Sequence, residues 1–130
     1  MKPVPFARSF VTPEAVDDVA SVLRSGWLTG GPQVQAFERE IAEFVGAPEA
    51  VAVSSCTAAL ELSLRALGLP RGARVLTPTL TFCGAVNAII HAGLQPVFVD
   101  LDPTTLMPDA STVAAAGPAD AMVVLHYAGY

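Results

Sequence analysis

Ala50-Val51-Ala52-Val53-Ser54-Ser55-Cys56-Thr57-Ala58-Ala59-Leu60 marks the point where the chain changes pattern. An apolar run of strand length leads into small polar residues, and a helix-forming stretch follows at once. Upstream the spacing is helical. Thr12 is placed to accept from the free amides of the next turn, Pro13 suits a first helical position, and Val16, Val19, Ala20 and Leu23 recur on one face. These residues predict a helix from about Pro13 to Arg24, closed near Gly26. Beyond the hinge Gly30-Gly31-Pro32, the positions Val34, Phe37, Ile41, Phe44 and Val45 predict a second amphipathic helix that Gly46 stops.

Downstream, apolar runs alternate with helical stretches. The runs are Ala50–Val53, Ala73–Thr77, Pro96–Val99 and Ala121–Leu125, with helices expected near Thr57–Leu67, Phe82–His91 and Asp109–Ala115. Continuous apolar strands joined by helices predict an α/β fold, a mainly parallel sheet covered by helices on both faces. The expected organisation is an N-terminal helix and hinge over residues 1–32, then an α/β domain over 33–130. Leu125-His126-Tyr127-Ala128-Gly129-Tyr130 follows the last strand without a covering helix, so that domain is expected to be partial, truncated at its C-terminal side.

Composition narrows the function classes. With 52% hydrophobic and 15% charged residues over 130 positions, the chain can build a core. A formal charge of −5 with scattered Lys and Arg offers no basic stripe, so no nucleic-acid partner is expected. No run reaches the roughly 18–20 apolar residues of a membrane span, and Met1–Arg8 lacks the apolar block of a signal peptide, so the expected location is the cytoplasm, away from membranes. Cys56 and Cys83 stand apart from any zinc-type Cys or His spacing and are expected as free thiols, with no metal site.

In parallel sheets, ligands bind beyond the carboxyl ends of the strands. That rule selects Ser54–Thr57, Pro78–Phe82, Asp100–Thr105 and His126–Tyr130. At the first, a strand delivers hydroxyl residues to a helix start, whose unsatisfied amides and dipole favour an anion such as phosphate. Ser55 and Thr57 would add hydroxyl donors, and the amides of Cys56 and Thr57 would point at the oxygens. The same residues also suit a plain helix cap at Ser55, and local chemistry leaves both readings open.

Order along the chain adds to this. Gly26-Trp27-Leu28-Thr29-Gly30-Gly31-Pro32, Ala52-Val53-Ser54-Ser55-Cys56-Thr57-Ala58-Ala59-Leu60, Pro78-Thr79-Leu80-Thr81-Phe82, Asn87-Ala88-Ile89 and Pro96-Val97-Phe98-Val99-Asp100-Leu101-Asp102-Pro103 resemble, in sequence and order, the DegT/DnrJ/StrS sugar aminotransferase family. The match covers nearly the whole chain. The resemblance implies part of the large domain of the fold-type I aminotransferase fold, with pyridoxal phosphate as cofactor. It implies that Ser55, Cys56 and Thr57 hold the cofactor phosphate and that Phe82 stacks on the pyridine ring. Many members have Gly at the place of Cys56; a backbone donor there tolerates the change. Trp27 and Thr29 are implied near the active site, on the substrate side.

The activity implied is amino transfer from an amino-acid donor to a nucleotide-linked keto sugar, in a homodimer whose subunits share the active sites. No catalytic residue is assigned. The family's cofactor lysine and the Asp that partners the pyridine nitrogen belong to later motifs, and the only lysine here, Lys2, lies in an unrelated segment. The chain is therefore expected to be the front part of a longer enzyme and inactive alone. Relatives with His in place of that lysine dehydrate sugars, so a dehydratase is an alternative; a non-catalytic phosphate- or nucleotide-binding regulatory module is another.

Two further features carry competing readings. Val97-Phe98-Val99-Asp100-Leu101-Asp102-Pro103-Thr104 fits the Asp-x-Asp-x-Thr pattern of haloacid-dehalogenase-type phosphotransferases, but no Lys follows it, and a turn leading out of a strand is the preferred reading. His91 ends a predicted helix, where an imidazolium complements the dipole.

Overall fold

The computed structural model describes residue 3 and residues 8–129; Lys2 and Tyr130 lie outside the described residues. Two compact units divide the chain, 1–52 and 53–130.

The first unit holds α1 (Pro13–Ser25) and α2 (Pro32–Val45). Thr12 caps α1 by accepting from the Ala15 amide at 3.2 Å, and Pro13 follows it. Gly26 and Gly46 close the two helices in the left-handed region, with φ of 78° and 68°, which a side chain would strain. Both helices have the predicted apolar stripes. Val16, Val19, Leu23, Phe37 and Phe44 nevertheless remain exposed, and Ala42 is the buried residue of α2.

The second unit holds α3 (Cys56–Ala66), β1 (Arg74–Pro78), α4 (Cys83–His91), β2 (Gln95–Val99), α5 (Ala110–Ala115) and β3 (Ala121–Met122). Its three strands form a parallel sheet in the order β2-β1-β3. Arg74 to Pro78 pair with Gln95 to Val99, and Val75 and Leu76 with Ala121 and Met122. As the middle strand, β1 is buried from Val75 to Pro78, which is why its sequence is apolar without alternation. Leu64 of α3 and Ala88 and Ile89 of α4 close over Val75 with Ala73 and Leu94, forming the core on one face of the sheet. Each fully buried Val or Ile contributes about 1.5–3 kcal/mol by leaving water.

Two strand expectations need correction. Ala50–Val53 has no partner among the described strands: Val51 is 77% exposed, and the Ala52 amide donates to the Glu38 carboxylate at 2.8 Å instead of to a ladder. An apolar run is a strand only when a neighbour accepts its backbone bonds. Ala121–Leu125 shrinks to Ala121–Met122, with bonds from Asp120 N–H to Arg74 O and from Val123 N–H to Leu76 O at its ends. The next rung would need an N–H from residue 78 of β1, which is proline and has none. The helices shift only at their ends; Ser55 and Phe82 become N-caps of α3 and α4.

Candidate functional site

α4 begins just past the carboxyl end of β1, the ligand side of a parallel sheet. Helix α3 starts beside it. The contact is close at Gly84, where an added Cβ would stand 2.7 Å from Thr57 Oγ1 and 2.9 Å from Phe82 Cδ1 and Cε1. Thr57 and Phe82, from separate helix starts, thus meet at one point.

At the head of α3, Ser55 is extended and its Oγ accepts from the Ala58 amide at 3.1 Å. The capping role is therefore real. It does not use up the residue, because a hydroxyl that accepts one bond still has its own proton to donate. Among the described residues, the amides of Cys56 and Thr57 donate to no protein acceptor, as the first amides of a helix must. Neither α3 nor α4 carries an acidic residue in its first turn, and Phe82 gives α4 no side-chain cap. Two helix starts with free donors and no competing carboxylate make a setting for an anion, each dipole adding about 0.3–1 kcal/mol. Phe82 is 74% exposed beside them, its ring face available to a flat partner. Cys56 and Cys83, the first residues of the two helices, are exposed free thiols.

Trp27 and Thr29 belong to the first unit, between α1 and α2, and line a cavity of about 150 Å³ there. The indole rests on Gly31, whose absent Cβ would lie 3.2 Å from it. A larger hollow of about 690 Å³ opens beside Thr104–Asp109 and Tyr127, but its carboxylate is already engaged. Asp109 accepts from the Thr112 amide at 2.8 Å in a capping box, and that bond first, then Ser111, holds its carboxyl below the usual range. Asp102 likewise accepts from Thr105 and Thr104 amides at 2.8 and 2.9 Å, which keep it ionised below the usual range. Asp102 is a turn residue, as the preferred reading of the Asp-x-Asp segment expects, and Asp109 caps the helix that follows. Among the described residues, no group of three or more His, Cys, Asp and Glu fits a metal ion.

His91 ends α4 with its Nδ1 3.6 Å from Glu61 Oε2, and Arg65 bridges the same carboxylate at 2.8 Å and the His91 carbonyl. That cluster ties α3 to α4 at the end away from their starts. Gly84 is the residue the sequence reading passed over. Its signal was a glycine inside a helical stretch, which marks either a stop or a close approach.

Comparison with known proteins agrees with this architecture. The pattern of the DegT/DnrJ/EryC1/StrS aminotransferase family matches residues 11–130. The chain is 46% identical over 128 residues to the spore coat polysaccharide biosynthesis protein SpsC of Bacillus subtilis (strain 168), covering 97% of this chain and 33% of that protein. It spans about a third of the length of that curated relative. The sugar aminotransferase CalS13 from Micromonospora echinospora superposes with a TM-score of 0.87 at 35% identity, over 98% of this chain and 36% of the other. Spr1654 from Streptococcus pneumoniae, in its PLP form, gives 0.81 at 35% identity over 87% and 29%. The fold is thus that of the aminotransferase structures, represented here by a helix-covered parallel sheet. The chain belongs to the DegT/DnrJ/EryC1/StrS aminotransferase family.

Proposed function

We propose that this chain is part of a pyridoxal-phosphate-dependent aminotransferase that moves an amino group from an amino acid to a nucleotide-linked keto sugar. The observation that carries the reading is the meeting of two helix starts, one with the free donors of Ser55, Cys56 and Thr57, the other with the exposed ring of Phe82. The donor set fits a phosphate and the ring fits a pyridine. The PLP and PMP forms of the Streptococcus pneumoniae relative support the cofactor, and the sugar aminotransferase CalS13 supports the sugar.

In this reading, the amides of Cys56 and Thr57 and the Thr57 hydroxyl donate to the phosphate oxygens. Ser55 donates its proton while still accepting from Ala58. Phe82 supplies a stacking face worth about 0.5–1.5 kcal/mol beyond burial. The bound cofactor supplies an electron sink for the carbon that loses a proton. These residues bind and orient; none of them is placed to move the proton, and Lys2 is the only lysine, so the 130 residues alone are proposed to bind without turnover. Residues 1–32, with Trp27 and Thr29, are proposed to serve the sugar nucleotide, and residues 33–130 the cofactor. A homodimer acting in the cytoplasm completes the proposal; no described helix is long and apolar enough to cross a membrane.

The test is calorimetric titration of the chain with pyridoxamine 5′-phosphate, whose amine cannot condense with stray lysines, and in parallel with uridine diphosphate. Saturable binding of the first, weakened by Thr57→Val and by Phe82→Leu, is expected. Preference for the nucleotide would overturn the cofactor reading in favour of a nucleotide-binding module.

A further inference from the structure

We infer that Gly84 is a positioning residue: the absence of a side chain there sets the distance between the phosphate-gripping Thr57 and the ring-stacking Phe82. The inference rests on the cofactor reading above and adds a residue to it.

Glycine in a helix is unfavourable by about 1 kcal/mol relative to alanine, so its presence in the first turn of α4 calls for a reason. Backbone conformation is not the reason. Among the described residues seven glycines have positive φ, and Gly84 is not one of them. Space is the reason, because Gly84 is buried and a Cβ on it would meet Thr57 Oγ1 at 2.7 Å and two ring carbons of Phe82 at 2.9 Å. Real Cβ atoms do not approach other atoms that closely, so a side chain at 84 must displace something. Both neighbours are side chains rather than backbone. Thr57 would yield by turning its hydroxyl away, and Phe82, 74% exposed, by swinging its ring out. Either movement separates the two groups that a phosphorylated aromatic ligand would need together, while leaving the sheet and the core of Val75, Ala88 and Ile89 untouched.

The experiment compares the full chain with its Gly84→Ala variant in urea unfolding and in titration with pyridoxamine 5′-phosphate, pyridoxamine and inorganic phosphate. Unfolding stability is expected to hold or rise, since alanine is the better helix former. Affinity for pyridoxamine 5′-phosphate is expected to fall about tenfold or more, the worth of one hydrogen bond to a charged group. In a Thr57→Val background the same substitution should cost less than it does alone if it acts through the hydroxyl, and inorganic phosphate should then weaken in step. If it acts through the ring, Phe82→Leu should absorb the loss and inorganic phosphate should be unaffected. Should Gly84→Ala unfold the chain, Gly84→Ala with Thr57→Ala removes the nearest obstruction and is expected to restore folding; no restoration overturns the steric assignment. Binding by Gly84→Ala equal to that of the unsubstituted chain, while Thr57→Val binds weakly, overturns the role of Gly84 and leaves the cofactor reading intact. No binding by the unsubstituted chain overturns both.

Discussion

Ser55 has one hydroxyl, which accepts from the Ala58 amide and still has its own proton to give to the anion proposed above. Substitution separates the two. Ser55→Ala removes the cap and is expected to lower unfolding stability by about 1 kcal/mol in urea titration. Ser55→Asp keeps the cap, since a carboxylate accepts as well, and is expected to hold that stability while repelling phosphate; undiminished phosphate binding by Ser55→Asp would place the anion elsewhere. Thr77 offers a second test at this scale. Its hydroxyl is fully buried in β1 and has no hydrogen-bond partner among the described residues. Removing an unsatisfied buried donor relieves its desolvation, so Thr77→Val is expected to raise unfolding stability by about 1 kcal/mol or more. The helix start at Ser55, Cys56 and Thr57 was legible because a junction of apolar run and helix is local. Gly84 was not, because the atoms that make it matter come from residue 57.

Among the elements, α3 and α4 depend on each other. Ile89 of α4 is fully buried against Leu64 of α3, and Ile89→Ala is expected to destabilise the chain by about 2–5 kcal/mol, read as a lower urea midpoint. At the far ends of the same helices, the Arg65 guanidinium holds the Glu61 carboxyl below its usual range, with His91 adding to the effect. A carboxyl whose folded value lies below its unfolded one stabilises the chain above the unfolded value, and that contribution is lost as pH falls through the folded value. Glu61→Gln is therefore expected to lower the melting temperature at neutral pH and to match the unsubstituted chain only once the pH has fallen through the folded value; a gap that persists in stronger acid would assign the effect to packing instead. Helix ends were legible because caps and stops are local: Thr12, Gly26 and Gly46 stand where the pattern put them. Strands were less so, since Ala50–Val53 and Leu125 have strand sequences but no ladder partner, and Pro78 removes a rung that the partner sequence cannot reveal.

For the molecule as a whole, the unusual feature is apolar surface. In the first unit Phe44 is 88% exposed on α2, and Val16, Val19 and Leu23 of α1 and Val51 are exposed as well; in the second unit Phe98 is exposed. Apolar surface of this extent favours association. Sedimentation velocity of the chain is expected to show concentration-dependent self-association, which Phe44→Glu reduces while changing unfolding stability by no more than about 0.5 kcal/mol. A single monomeric species across the same concentrations would count against it.

The alternation of elements, the caps that start and stop the helices, the family and the junction at Ser55–Thr57 can all be read along the chain, because each is written in residues close together or in the order of motifs. Tertiary structure alone decided which apolar runs become strands and which residue stands between Thr57 and Phe82. A ladder needs a neighbour with matching donors and acceptors, and a close approach needs two segments far apart in the chain to arrive at one place; neither condition is a property of any single stretch.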